Sequence, residues 1–268
     1  MSILEFRLNY NKHGMCCCNT TQTEAFIVIG ATALITGVLW RSAVLAPIKL
    51  VKQHKIKVAV FLHELSHALA TWATCGKVTA IEVNENFGGV TISRGGTRWF
   101  SLSAGYIGSV IWGSFFILMT WDRLPTKIAA GVFIVACIVT AFVLHVQQAK
   151  LCGMKCCFGM AMRFLVIAVG AIPAALWVLE EYVDMKIQPL RWAILAIGTI
   201  CTLHALYDCI HDVLCKSINN SSQGKSDAVM FAEEFCGTPR CWGLLWSMLA
   251  ILAAAAALYG VTVLSGDC

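Results

Sequence analysis

The chain alternates between long apolar runs and short polar interruptions, and the runs have the length of membrane spans. A helix needs about 20 apolar residues to cross the hydrocarbon core of a bilayer. By that measure spans are expected near 24–45, 57–75, 100–121, 127–147, 162–179, 190–211 and 242–264. The predicted fold class is an all-α polytopic membrane protein with about seven transmembrane helices. One segment breaks the pattern: Val78, Ile81 and Val83, then Val90 and Ile92, flank Asn84-Glu85-Asn86-Phe87-Gly88-Gly89. β-Branched runs around an Asn/Gly turn predict a short β-hairpin between the second and third spans, ended by Arg94-Gly95-Gly96. The expected organisation is a polar N-terminal tail over 1–23, one membrane-embedded domain over 24–264 and a C-terminal tail over 265–268.

Within the third span, Ser101, Gly105, Ser109 and Gly113 recur every four residues. A row of small side chains lets helix backbones approach closely in lipid, so this helix is expected to pack against a neighbour, with the second span the first choice. The alanines from Ala253 to Ala257 carry the same message for the last span.

Composition agrees with a lipid setting. Charged residues make up 13% of the chain, against about a quarter in soluble domains, and the mean hydropathy is +0.73. The expected localisation is integral and multi-pass, with the bilayer as the first partner. The net charge of +5 is spread over the loops and leaves no nucleic-acid footprint. Basic residues divide almost evenly between alternate loops, so they do not set an orientation. No apolar run precedes residue 24, and the first span is expected to act as an uncleaved insertion signal. Asn19, Asn219 and Asn220 lie in glycan-acceptor patterns for the case in which their loops face a lumen. The 14 cysteines show no disulfide spacing. Cys137 and Cys201 sit in apolar spans as small hydrophobes, whereas Cys16-Cys17-Cys18 and Cys156-Cys157 lie beside spans, as acylated cysteines do.

The chemistry enters with His63-Glu64-Leu65-Ser66-His67, which lies inside the second apolar run. Residues four apart share a helix face, so His63 and His67 can hold one metal ion between them. Glu64 falls beside that pair as a candidate general base. Ionisable groups are expensive in lipid, and three together mark a functional site rather than a chance polar cluster. A catalytic metal needs a third protein ligand. The sixth span offers His204, Asp208 and Asp212 at four-residue spacing. Asp208 is the first candidate, with His204 and Asp212 as alternatives. Asp227, in Ser226-Asp227-Ala228, reads as a helix cap.

Taken in order, these motifs resemble those of site-2-protease-type intramembrane metallopeptidases, and more narrowly the B-like branch of peptidase family M-50. The resemblance runs from about residue 24 to 246. It rests on Leu45 to Lys52, His63-Glu64-Leu65-Ser66-His67-Ala68, Gly88-Gly89-Val90-Thr91 with Arg94-Gly95-Gly96, and Ala104-Gly105-Tyr106-Ile107-Gly108-Ser109. Tyr207-Asp208, Asp212 and Ser226-Asp227-Ala228 complete it. It implies a Zn²⁺ enzyme, with His63 and His67 as paired ligands, Glu64 as the catalytic glutamate and Asp208 completing the site. The substrate would be a membrane protein, cut within or near the bilayer. A substrate helix must unwind before cleavage, and the hairpin is expected to receive the unwound strand, with Gly88, Gly89, Val90 and Thr91 positioning it. Two other classes compete: a catalytically inactive scaffold derived from such a protease, and a transporter. The second would need paired sites on repeated helices, and the sequence has no internal repeat.

Overall fold

A computed structural model describes residues 20–41, 49–83, 89–150, 156–183, 187–211 and 226–265. Among the described residues eight α-helices follow one another: α1 (Thr20–Arg41), α2 (Lys49–Ala73), α3 (Arg98–Leu118), α4 (Arg123–Lys150), α5 (Cys156–Tyr182), α6 (Pro189–His211), α7 (Asp227–Phe235) and α8 (Pro239–Leu264). The hairpin falls where the turn chemistry predicts it, as β1 (Lys77–Val83) and β2 (Gly89–Arg94) between α2 and α3. The strands pair antiparallel, with Ile81 opposite Thr91 and Val83 opposite Gly89, and a register shift between Val78 and Ala80. Gly95 and Gly96 follow β2 with φ of +72° and +77°, a backbone region that glycine enters without penalty and that turns the chain into α3.

Each of the seven apolar runs carries an α-helix. Among the described residues, four helices are long and apolar enough to cross a membrane: Arg98–Trp121, Arg123–Phe142, Pro189–Ile210 and Pro239–Leu264. These four match the third, fourth, sixth and seventh expected spans and do not by themselves confirm the count of seven. α1 carries an apolar stretch over Gln22–Gly37. α2 opens with a lysine-rich stretch, Lys49 to Lys57, and carries His63, Glu64, Ser66 and His67 in its apolar second half.

α3 is the hub, in contact with α2, α6, α7 and α8. Its small-residue row explains how. A Cβ on Gly113 would stand 2.2 Å from Thr202 Oγ1 and 3.0 Å from the Gly198 carbonyl, so α3 and α6 cross backbone to backbone. The apolar core lies on the far side of this crossing, where Leu62, Phe116, Phe133, Leu190 and Ile194 are wholly buried. At the other end of the bundle, Tyr106, Phe231 and Trp246 form a second buried cluster beneath the polar site. Asn19, Asn219, Asn220, the Cys16–Cys18 run, Gly88 and Asp212 lie outside the described residues.

Candidate metal centre

The site begins with the helical register of α2. His63, Glu64 and His67 are all buried, with relative exposures of 9%, 4% and 7%. Burial is possible because α3 presents no side chain where the imidazoles need room. A Cβ on Gly105 would lie 2.4 Å from His67 Nε2 and 2.5 Å from His63 Nε2. The serines one turn to either side orient the rings. His67 Nδ1 donates to the Ser101 carbonyl at 2.7 Å. The Ser109 hydroxyl spends its proton on the Gly105 carbonyl at 2.9 Å, so its lone pair accepts from His63 Nδ1 at 3.3 Å. The row of small residues is thus a packing device and an orienting shell for the two histidines at once.

These bonds assign the tautomers. With Nδ1 donating in both neutral rings, each Nε2 carries a lone pair. The two Nε2 atoms are 3.3 Å apart, and Asp227 Oδ2 lies 2.9 Å from one and 3.0 Å from the other. With neutral rings three acceptors converge, so the arrangement calls for a cation between them, either a proton on an imidazole Nε2 or a metal ion. Tetrahedral zinc, with ligands at about 2.0–2.1 Å, sets its donors about 3.3 Å apart. The two imidazole nitrogens meet that spacing, and the nitrogen–oxygen pairs fall a few tenths of an ångström inside it. His63, His67 and Asp227 are also the one group of three or more potential ligands found among the described residues. Two imidazoles, one carboxylate and burial are a donor set that fits zinc.

Asp227 is the residue the sequence reading misplaces. It opens α7, and Ser226 holds the N-cap position without a side-chain cap bond. The Asp227 carboxylate turns inward to the histidines instead of capping its own helix. Burial acts to raise its pKa, but the two imidazoles outweigh this and hold the carboxyl below the usual carboxylate range. α7 is pinned over the site from both ends. Phe231, 1% exposed, inserts among Trp242 at 4.6 Å, Trp246 at 5.5 Å and Phe235 at 4.9 Å between ring centroids. Arg98, at the start of α3, pairs with Glu234 at the α7 end. Tyr106 links this cluster to the centre, its ring 5.0 Å from Trp246 and edge-on to His63 at 5.2 Å.

Asp208, the expected third ligand, is not part of the group. It stands one turn beyond His204, its side chain 36% exposed, and pairs with His204 Nε2 at 3.3 Å. His204 is buried, with its ring centroid 6.5 Å from that of His63. Among the described residues the carboxylate that joins the two histidines comes from α7, as Asp227, and not from α6.

The hairpin reaches the same site from the side of Glu64. Thr91 Oγ1 lies 2.7 Å from Glu64 Oε2 and 3.0 Å from the Glu64 carbonyl. A Cβ on Gly89 would come within 2.3 Å of Glu64 Oε1. Val90 points the other way and is 49% exposed. Gly105 lies roughly 10 Å along α3 from Arg98 at helical rise, so the centre is set about a third of the way into the bundle.

No curated protein and no solved structure matches this chain. One family model does, Peptidase M50B-like, over residues 27–257. That match takes in the His63–His67 motif, the hairpin, the α3 row and Asp227, and the chain belongs to the Peptidase M50B-like family.

Proposed function

We propose that this protein is a zinc-dependent endopeptidase that hydrolyses a peptide bond in a membrane-spanning or membrane-proximal segment of another protein. The observation that carries this reading is the convergence of His63 Nε2, His67 Nε2 and Asp227 Oδ2 within 3.3 Å in a buried site. These three residues would hold the metal. When bound, zinc supplies Lewis-acid polarisation of the scissile carbonyl and of the attacking water.

The remaining steps belong to the chain. Glu64 takes a proton from water through the oxygen that Thr91 leaves free, as the water oxygen bonds to the carbonyl carbon. The same carboxyl then delivers that proton to the departing amine as the C–N bond breaks. Ser101 and Ser109 keep both imidazoles aimed, as partners of metal-binding histidines do. β2 supports substrate placement: its outer face exposes Val90 and Ile92, and an unwound strand could pair along its edge. A helical substrate hides its carbonyls in its own hydrogen bonds, so such pairing would hold it open.

The test is zinc stoichiometry and turnover on detergent-purified protein. About one zinc per chain is expected in wild type and in Glu64→Gln, with turnover lost only in the variant. A wild type free of zinc in chelator-free buffer points instead to a client-binding scaffold. Retained turnover in Glu64→Gln removes Glu64 as the base.

A further inference from the structure

The hairpin and the base are joined by one direct contact, the Thr91 hydroxyl on Glu64. In β2, successive side chains alternate between faces. Gly89 and Thr91 face α2, together with Ile81, which sits opposite Thr91 and is 4% exposed. Val90 and Ile92 face outward, 49% and 45% exposed. The inward face meets α2 at Glu64. Thr91 reaches two acceptors of that one residue, the carboxylate oxygen Oε2 at 2.7 Å and the backbone carbonyl at 3.0 Å. A hydroxyl has a single proton, so the shorter, charge-assisted bond to the carboxylate is the stronger claim on it. Gly89 leaves no side chain between the strand and Oε1.

We propose that Thr91 is the positioning residue for Glu64 and that β2 is docked on α2 through the catalytic carboxylate itself. This rests on the reading of Glu64 as the base. The consequence is that one strand does two jobs: its outer edge is available to a substrate, and its inner face fixes the rotamer of the group that must meet the attacking water. With Oε2 held by the threonine hydroxyl, Oε1 is left to handle the proton. A strand that shifts on taking a substrate would move the base with it, so engagement and base geometry are coupled through a single hydroxyl. Valine at this position keeps the β-branched shape and removes the bond; serine keeps the bond.

The test uses the full-length, zinc-loaded chain in lipid nanodiscs, as wild type, Thr91→Val, Thr91→Ser, Glu64→Ala and the double variant Thr91→Val/Glu64→Ala. Hydrogen exchange over residues 89–94 reads the docking of β2. Thr91→Val and Glu64→Ala are each expected to speed that exchange about 10-fold, the equivalent of one hydrogen bond to a carboxylate. The double variant should go no faster, because one contact cannot be lost twice. Thr91→Ser should stay within about 3-fold of wild type. Unchanged exchange in Thr91→Val, or additive effects in the double variant, overturns the proposal. The catalytic arm uses a fluorophore–quencher-labelled helical peptide long enough to span the bilayer. There Thr91→Val should lower kcat about 10-fold at unchanged KM, and Thr91→Ser should restore it. Wild-type kcat in Thr91→Val, or a fall confined to KM, also overturns it. If wild type leaves the peptide uncut, or if Glu64→Gln still cuts it, the protease reading fails, while the exchange cycle still decides the contact between Thr91 and Glu64.

Discussion

Adding a single methyl group at Gly105 should abolish the metal centre while leaving the bundle folded. A Cβ there would stand 2.4 Å from His67 Nε2 and 2.5 Å from His63 Nε2. Ordinary carbon–nitrogen contact begins near 3.4 Å, so the alanine methyl must open a gap of about 1 Å between α3 and the rings. Neither side can give freely. The rings are tied to α3 itself by Ser101 and Ser109, one turn to either side of Gly105, and meet each other edge to face with centroids 4.9 Å apart. α3 is fixed one turn further on by Gly108, where a Cβ would stand 2.3 Å from Ser66 Oγ. A metal site tolerates ligand displacements of about 0.2 Å. A shift five times larger on two ligands should cost at least about 100-fold in zinc affinity, the upper end of what loss of an orienting partner costs. The fold should survive, because overpacking one methyl costs about 1–3 kcal/mol. The assay is zinc titration by isothermal calorimetry in detergent, with thermal unfolding of the apo protein alongside. Gly30→Ala is the control, since nothing lies within 4 Å of a Cβ there. Wild-type zinc affinity in Gly105→Ala, with the variant folded, would refute the placement of the ligands against α3.

Four further variants separate the metal-facing groups from their supports. Asp227→Ala should lose the bound zinc and Asp208→Ala should keep it, as measured by metal analysis of purified protein; the reverse result would return Asp208 to the site. Ser109→Ala removes the acceptor for His63 Nδ1 and should weaken zinc binding about 10-fold without changing its stoichiometry. Phe231→Ala leaves a cavity among Trp242, Trp246 and Phe235 that should cost about 3–5 kcal/mol in docking of α7. It should lower zinc occupancy and shift tryptophan fluorescence together, and full occupancy with an altered emission would show that α7 does not depend on this aromatic anchor.

The parts of this protein legible in the sequence are those whose signal is local. His63, Glu64 and His67 declare themselves because a four-residue spacing on a helix is a geometric statement by itself. The hairpin is legible for the same reason, as turn chemistry and β-branched alternation act over a dozen residues. The row Ser101, Gly105, Ser109 announces a close helix contact, though not that two of its members would hold imidazoles. The third ligand is the clearest case. Asp208 and Asp227 are both aspartates near helix ends, and each is ordinary there. Choosing between them requires knowing which helix end lies over the histidines.

That choice is made by packing, not by proximity in sequence. α6 is bound to α3 at Gly113, Gly198 and Thr202, which sets His204 beside His63 and carries Asp208 past the site toward the surface. α7 is too short to cross a bilayer and has no reason to be buried on its own account. Its position follows from Phe231, which finds its apolar surroundings only between the first turns of α8 and the start of α3. Once Phe231 is seated, Asp227, one helical turn earlier, can only point down onto α2. A single aromatic anchor therefore brings Asp227 to the two histidines, and it does so from a residue that reads in the sequence as one more phenylalanine in a hydrophobic chain.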